Sequence, residues 1–347
     1  MTCTSGIYFT PRVPIRCNKK ASEGFGCATR WASKSHSLRM PSRVARFRFV
    51  CRFSAVDLPK VDLPKVSKPQ EVLKRLGQEP KPGLGQNFLL DQQVVIDTVK
   101  AADINPGDHV IEVGPGTGVL TRGLLEAGAR VTAIEKDHTL AAALAEQYKD
   151  HPQLTVVCDD FMRWRKKELR LSEESETVKV VANLPYNITT NILKRLLPMG
   201  DHITEVVLMV QLEAAERLVS AMAGDGDYRP ISVRVRFYSD PAFVRKVDKS
   251  LYYPAPAVDG AIVRFKLKRT DQLPQVDPLE FFQLVGAAFG SKRKMLRNNL
   301  ASCGFNATAV QEALEQINLP PTARPSDLTT EKFVELYSRL LSDKNPQ

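Results

Sequence analysis

The chain has 347 residues, 43% hydrophobic and 25% charged, enough for two globular domains, and no run approaches the roughly 18 to 20 consecutive apolar residues of a membrane-spanning helix, so no membrane partner is expected. The formal charge of +10 is unevenly placed: residues 1–54 hold eleven Lys or Arg, from Arg12 to Arg52, against the single acid Glu23, while the remaining 38 basic and 38 acidic residues cancel. That excludes a global positive field as the source of nucleic-acid affinity and leaves it to local patches.

Residues 1–54 also carry eleven Ser or Thr and show no apolar periodicity. This is the composition of an organelle transit peptide, expected to be disordered and separate from the fold. The uncharged start Met1-Thr2-Cys3-Thr4-Ser5 favours the chloroplast stroma, with the mitochondrial matrix as alternative. A retained basic arm that binds RNA is the other reading of the same segment. Four of the six cysteines lie there. Cys158 and Cys303 have no C-x-x-C partner and no His in a ligand arrangement, so neither a zinc site nor a disulfide framework is expected, and no metal is assigned. Residues 55–80 contain the direct repeat Val56–Lys60 and Val61–Lys65 with prolines at 59, 64, 69 and 80, which reads as a semi-rigid linker.

From Gln92 the pattern is regular. A helix to about Ala102 precedes strand His109–Val113. Helix Leu120–Glu126 precedes strand Arg130–Ile134, and helix Thr139–Tyr148 precedes strand Leu154–Val157. Val178–Ala182 is another apolar run. Strands alternating with helices predict an α/β, doubly wound, Rossmann-like parallel sheet over 81–272, with ligands beyond the carboxyl ends of the strands. Val206–Val210, Ile231–Tyr238 and Ala261–Lys268 read as further strands, the last two as an antiparallel edge pair. Over 273–347 the segments Leu279–Phe289, Arg293–Leu300, Ala307–Ile317 and Thr330–Leu341 predict a small all-helical carboxyl-terminal domain.

Glu112-Val-Gly-Pro-Gly-Thr-Gly118 follows a strand and opens a helix. Its glycines permit a tight turn and let backbone N–H groups approach a ligand. The third glycine arrives one residue too early for a dinucleotide fingerprint. The E-x-G-x-G-x-G form is that of class I methyltransferases, which implies S-adenosyl-L-methionine as cofactor, with Gly114 and Gly116 against it. Glu135, 21 residues beyond Gly114 at the next strand end, can accept hydrogen bonds from both ribose hydroxyls. In Asp159-Asp160, after the third strand, one carboxylate can accept from the cofactor's adenine amine.

Asn183-Leu184-Pro185-Tyr186 follows the fourth strand. An adenine amino nitrogen is a poor nucleophile because its lone pair is delocalised into the ring, so orientation and electrostatics must activate it. The Asn183 side-chain oxygen and the Leu184 carbonyl can accept both amino hydrogens. Pro185 fixes the turn without donating a competing N–H. Tyr186 supplies an aromatic face for a flipped-out base. No nucleophilic Cys is evident.

With these motifs the chain resembles the KsgA-type ribosomal RNA adenine dimethyltransferases from about Lys81 to about Leu340. Gly85-Gln86-Asn87-Phe88-Leu89 looks like that family's G-Q-N/H-F-L motif. Tyr253-Pro254-Ala255-Pro256-Ala257-Val258-Asp259 is similar to its F-x-P-x-P-x-V-D-S segment, and Phe289 to Asn298 to its F-x-x-R-R-K-x-L-R-N segment. The resemblance implies cofactor contacts at Asn87, Leu89, Gly114, Glu135, Asp160 and Asn183, and a second base-stacking ring at Phe289. It further implies dimethylation of two adjacent adenines in a hairpin loop near the 3′ end of small-subunit rRNA, within a pre-ribosomal particle and by a monomer. Phosphates are expected on a patch of Lys292, Arg293, Lys294 and Arg297 and on Arg264 and Lys266. Departures are Gly260 for the usual Ser and Gly290-Ser291-Lys292 for a polar-Arg-Arg pattern. Alternatives are an adenine N6-methyltransferase of another RNA or DNA, or an organellar transcription factor or RNA-binding protein derived from the same fold.

Overall fold

The computed structural model describes residues 8–9, 63–64, 67–164, 178–291 and 293–342. The transit-peptide expectation for 1–54 therefore lies outside the described residues, apart from strand β1 (Tyr8–Phe9). Within the expected linker, Pro69–Arg75 forms helix α1. Proline does not forbid it: Pro69 sits in the first turn, where its missing N–H has no partner to lose, and the helix buries Val72 and Leu73.

Next come β2 (Phe88–Leu89), α2 (Gln92–Ala101), β3 (His109–Val113), α3 (Val119–Glu126), β4 (Arg130–Glu135), α4 (His138–Gln147), β5 (Leu154–Cys158), β6 (Val178–Asn183), α5 (Thr189–Leu196), β7 (Ile203–Gln211) and α6 (Leu212–Val219). Strands β5, β4, β3, β6 and β7 run parallel in that order, the doubly wound sheet expected from the alternation. Side-chain parity shows why the strands read as unbroken apolar runs. On β7, Val206, Leu208 and Val210 enter one core cluster with α5 and α6, while Val207 and Met209 enter the other with α2, α3 and α4.

One element differs in kind from its sequence reading. Ile231–Tyr238 belongs to helix α7 (Pro230–Tyr238), and the edge strand is instead β8 (Ser239–Val247). β10 (Gly260–Leu267) lies between β7 and β8, antiparallel to both, and the short β9 (Tyr252–Tyr253) pairs with β2. Val-Arg-Val-Arg-Phe imitates strand alternation, but Pro230 in the first turn and the Ser232 hydroxyl, which accepts from the Arg229 N–H, start a helix. Tertiary contacts then hold the two arginines: Arg234 lies 3.7 Å over the Phe282 ring, and Arg236 donates to the Val219 carbonyl at 2.7 Å.

The carboxyl-terminal part is helical as expected: α8 (Pro278–Ala288), α9 (Leu296–Ala301), α10 (Ala307–Gln316) and α11 (Thr330–Ser342). Among the described residues it has no core separate from that of the sheet. Phe281, Leu284, Leu314 and Phe333 join the cluster that contains Val206 and Val233, with Phe281 stacked on Phe237 at 5.1 Å. The helices thus extend the sheet's own core.

Candidate active site

The carboxyl ends of β3, β4, β5 and β6 open onto one cleft of about 230 Å³, closed on its other side by residues 83–89. The glycine loop forms its floor. Gly114, Gly116 and Gly118 all have positive φ, at 69°, 58° and 82°. Contacts add to that constraint at two of them: a Cβ on Gly118 would lie 2.6 Å from the Leu144 side chain, and one on Gly116 would lie 3.0 Å from the Phe88 ring. Phe88 is carried by β2, whose pairing with β9 sets Phe88 against Tyr253 and Leu89 against Tyr252. Leu89 is buried at the cleft wall.

Glu135 ends β4, almost wholly buried. Its two oxygens accept from the Gly116 N–H at 3.0 Å and the Asp137 N–H at 2.8 Å, and a carboxylate has acceptor capacity beyond those two bonds for a ligand. Burial raises its pKa, and those backbone donors oppose the rise. Both aspartates after β5 line the cleft. Asp159 accepts from the Asp160 N–H and from the Trp164 indole at 2.9 Å. Asp160 accepts from the Met162 N–H at 2.9 Å and has Lys136 at 3.1 Å. Burial works to raise its pKa, but the Met162 N–H and Lys136 outweigh it and keep it below the ordinary value.

Asn183 ends β6, and its side-chain N–H donates to the Asn87 carbonyl at 3.0 Å. That bond spends the amide's nitrogen on the protein and leaves its oxygen as an acceptor in the cleft. The Asn87 side chain in turn donates to the Gly85 carbonyl at 3.3 Å. Segment 81–87 is tied down a second time, since Lys81 and Gln86 donate to Asp137 at 2.7 and 3.2 Å. Asp137 also caps α4. Leu184 and Pro185 line the cleft beside Asn183. Tyr186 follows with its hydroxyl buried and its ring partly exposed.

Glu112 was legible only as part of the glycine motif, yet it is the most unusual group in the cleft. It is 1% exposed, and neither carboxylate oxygen has a hydrogen-bond partner among the described residues. Burial pushes its pKa up to about 8; Thr121 beside it offsets part of the rise, and the charge of Glu135 adds to it. A cleft with an orphaned buried carboxyl, a ribose-type acceptor in Glu135 and an adenine-type acceptor in Asp160 suits a positively charged adenosine derivative. S-adenosyl-L-methionine, a sulfonium that also carries an ammonium group, fits that set of acceptors.

Two of the expectations concern side chains that lie away from this cleft. Neither Phe289 nor Tyr186 is among the residues lining the cleft; the partly buried Phe289 ring packs against Tyr228 and Phe333, with centroids 6.0 and 5.8 Å apart, at the edge of the helical core. Arg264 and Lys266 are paired with Val207 and Glu205, near the start of β7, whereas its carboxyl end lies beside Gly260. Six residues of strand put Lys266 about 20 Å from that end. Arg264 also faces Glu205 at 4.0 Å. Arg293 and Lys294 are exposed, Arg297 donates to Gln311 at 2.8 Å, and Lys292 lies outside the described residues.

The family profile described as ribosomal RNA adenine dimethylase matches residues 77–340. The chain is 40% identical over 276 residues to a chloroplastic ribosomal RNA small subunit methyltransferase of Arabidopsis thaliana, covering 77% of this chain and 80% of that one. It is 39% identical over 282 residues to ribosomal RNA small subunit methyltransferase A of Protochlamydia amoebophila, covering 80% of this chain and 98% of that one. The crystal structure of a dimethyladenosine transferase from Plasmodium falciparum has the same fold, with a TM-score of 0.62 at 24% identity over 74% of this chain and 98% of that one.

Proposed function

We propose an organellar ribosomal role for this chain, which belongs to the ribosomal RNA adenine dimethylase family and is an rRNA adenine dimethyltransferase. Its substrate is a pair of adjacent adenines in a hairpin loop near the 3′ end of small-subunit rRNA, each receiving two methyl groups on N6 within a pre-ribosomal particle. S-adenosyl-L-methionine, when bound, supplies the electrophilic methyl group. Glu135 receives the ribose hydroxyls, Asp160 the cofactor's adenine amine, and Glu112 its positive end, while Gly114 and Gly116 leave room for the backbone to approach.

The observation that carries this reading is the bond from the Asn183 amide to the Asn87 carbonyl. It fixes the amide so that its oxygen, together with the Leu184 carbonyl, accepts the two hydrogens of the target amine. Holding both N–H bonds in the acceptors' direction favours a pyramidal nitrogen with its lone pair turned toward the methyl donor, and no base is needed to remove a proton beforehand. After transfer the amine carries an extra proton, which leaves to solvent. Tyr186 stacks on the extruded base. Arg293 and Lys294, both exposed, supply phosphate contacts on the helical side, and the enzyme works as a monomer.

Mass spectrometry of organellar small-subunit rRNA from cells with and without the protein tests the substrate. The tandem adenines are expected to be dimethylated only when it is present; dimethylation that persists without it rejects the assignment. Residues 1–54 direct delivery to the chloroplast stroma in this reading. A fluorescent reporter carrying them is expected in plastids, and a mitochondrial or cytosolic signal would refute that destination.

A further inference from the structure

Tyr186 is held at its hydroxyl end. That hydroxyl is buried and completes no hydrogen bond among the described residues, although the ring that carries it is partly exposed. Its polar neighbour is the hydroxyl of Tyr252. Tyr252 is 3% exposed, pairs with Leu89 of the cleft wall through β9 and β2, and directs its own hydroxyl to the Met209 sulfur at 3.8 Å. Both phenols sit above Gly260, where an added Cβ would lie 3.0 Å from the Tyr252 hydroxyl and 3.1 Å from that of Tyr186. The Val210 carbonyl is 3.4 Å from the same point.

We propose that Tyr252 is a positioning residue for Tyr186, its hydroxyl filling the space that Gly260 leaves by having no side chain and so fixing the tilt of the Tyr186 ring. The inference rests on the reading that Tyr186 stacks on the target base. Gly260 stands where the resembled segment has Ser, and counting back from Val258-Asp259 puts Tyr252 at that segment's Phe. In this chain the hydroxyl beside that of Tyr186 belongs to Tyr252. Burial raises the pKa of both phenols, so neither ionises near neutral pH and each stays a donor. A tyrosine whose buried hydroxyl is packed against Tyr252 over Gly260 has little freedom to tilt its ring, so a stacked base inherits a defined plane relative to Asn183.

A compensation experiment tests this. Single-turnover methylation of small-subunit particles lacking the modification is measured for wild type, Tyr252→Phe, Gly260→Ser, the double variant and Tyr186→Ala, alongside calorimetric affinity for S-adenosyl-L-methionine and the melting temperature. Tyr252→Phe removes the anchor and is expected to slow transfer about tenfold with cofactor affinity unchanged. Gly260→Ser crowds both hydroxyls and is expected to slow it comparably. In the double variant the serine hydroxyl occupies the vacated space, and the rate returns to within about threefold of wild type. A double variant slower than either single one overturns the proposal, as does wild-type turnover by Tyr252→Phe while Tyr186→Ala is impaired. Wild-type turnover by Tyr186→Ala would instead remove the base-stacking reading and this inference with it.

Discussion

Asn183→Ala is expected to lower the rate of methyl transfer by about 10³-fold while rRNA is retained at near wild-type affinity. The variant removes the side-chain acceptor that orients the amine, and groups that stabilise only the reacting geometry cost about 10²- to 10³-fold when lost. It also breaks the 3.0 Å bond to the Asn87 carbonyl, so the 81–87 segment loses one of its ties, and cofactor affinity is expected to fall by about tenfold. Asn183→Asp separates the two effects. It keeps an oxygen for the amine but has no N–H for Asn87, and it sets a carboxylate against that carbonyl. Its rate is expected between those of wild type and Asn183→Ala, with the same weakened cofactor binding. Single-turnover assays at saturating S-adenosyl-L-methionine, with filter binding of rRNA as the parallel measurement, read both. Turnover by Asn183→Ala equal to wild type would remove the amine clamp from the mechanism.

The parts of the site that could be read from sequence are those whose geometry is local. A glycine loop at a strand end, an acid at the next strand end and Asn-Leu-Pro-Tyr at a third each depend on a few consecutive residues, and the parallel sheet brings those ends to one edge. The one misread element, and the packing that no local pattern announces, are cases where a distant partner decides. Residues 231–238 alternate like a strand, but Phe281, Phe282 and the Val219 carbonyl, up to some fifty positions away, make a helix the better-packed answer. Phe289 lies in a segment that resembles the family's motif, and its packing on Tyr228 and Phe333 joins chain positions up to sixty-one apart. The charge of Arg264 and Lys266 was visible, but not that their strand runs antiparallel to β7 and carries them away from the cleft. The contact between Tyr252 and Tyr186 spans sixty-six positions and has no periodic signature.

Glu112 carries a second expected result with a large effect. Its pKa rises from an ordinary 4.5 to about 8 because burial disfavours the charged carboxylate. The folded protein therefore holds a proton that the unfolded chain gives up, so this residue lowers stability as pH climbs from 4.5 through about 8, and its cost is complete above that value. At pH 7 the penalty is of the order of 3 kcal/mol, since each pKa unit corresponds to about 1.4 kcal/mol. Glu112→Gln has no proton to lose. The cofactor-free variant is expected to melt at a higher temperature than wild type at pH 8 and above, with the gap closing as pH falls toward 4.5. The cofactor reverses the advantage: a cation beside the carboxylate favours its charged form, so stabilisation by S-adenosyl-L-methionine is expected to grow with pH in the wild type. In Glu112→Gln it stays smaller and flat. Thermal melts across pH 5 to 9, with and without cofactor, measure both slopes. If the variant's melting temperature follows that of the wild type at every pH, Glu112 is neither the strained group of the empty cleft nor the partner of the cofactor's charge. If only the ligand-dependent slopes coincide, the cofactor's positive end lies elsewhere in the cleft, and the carboxyl's strain belongs to the fold alone.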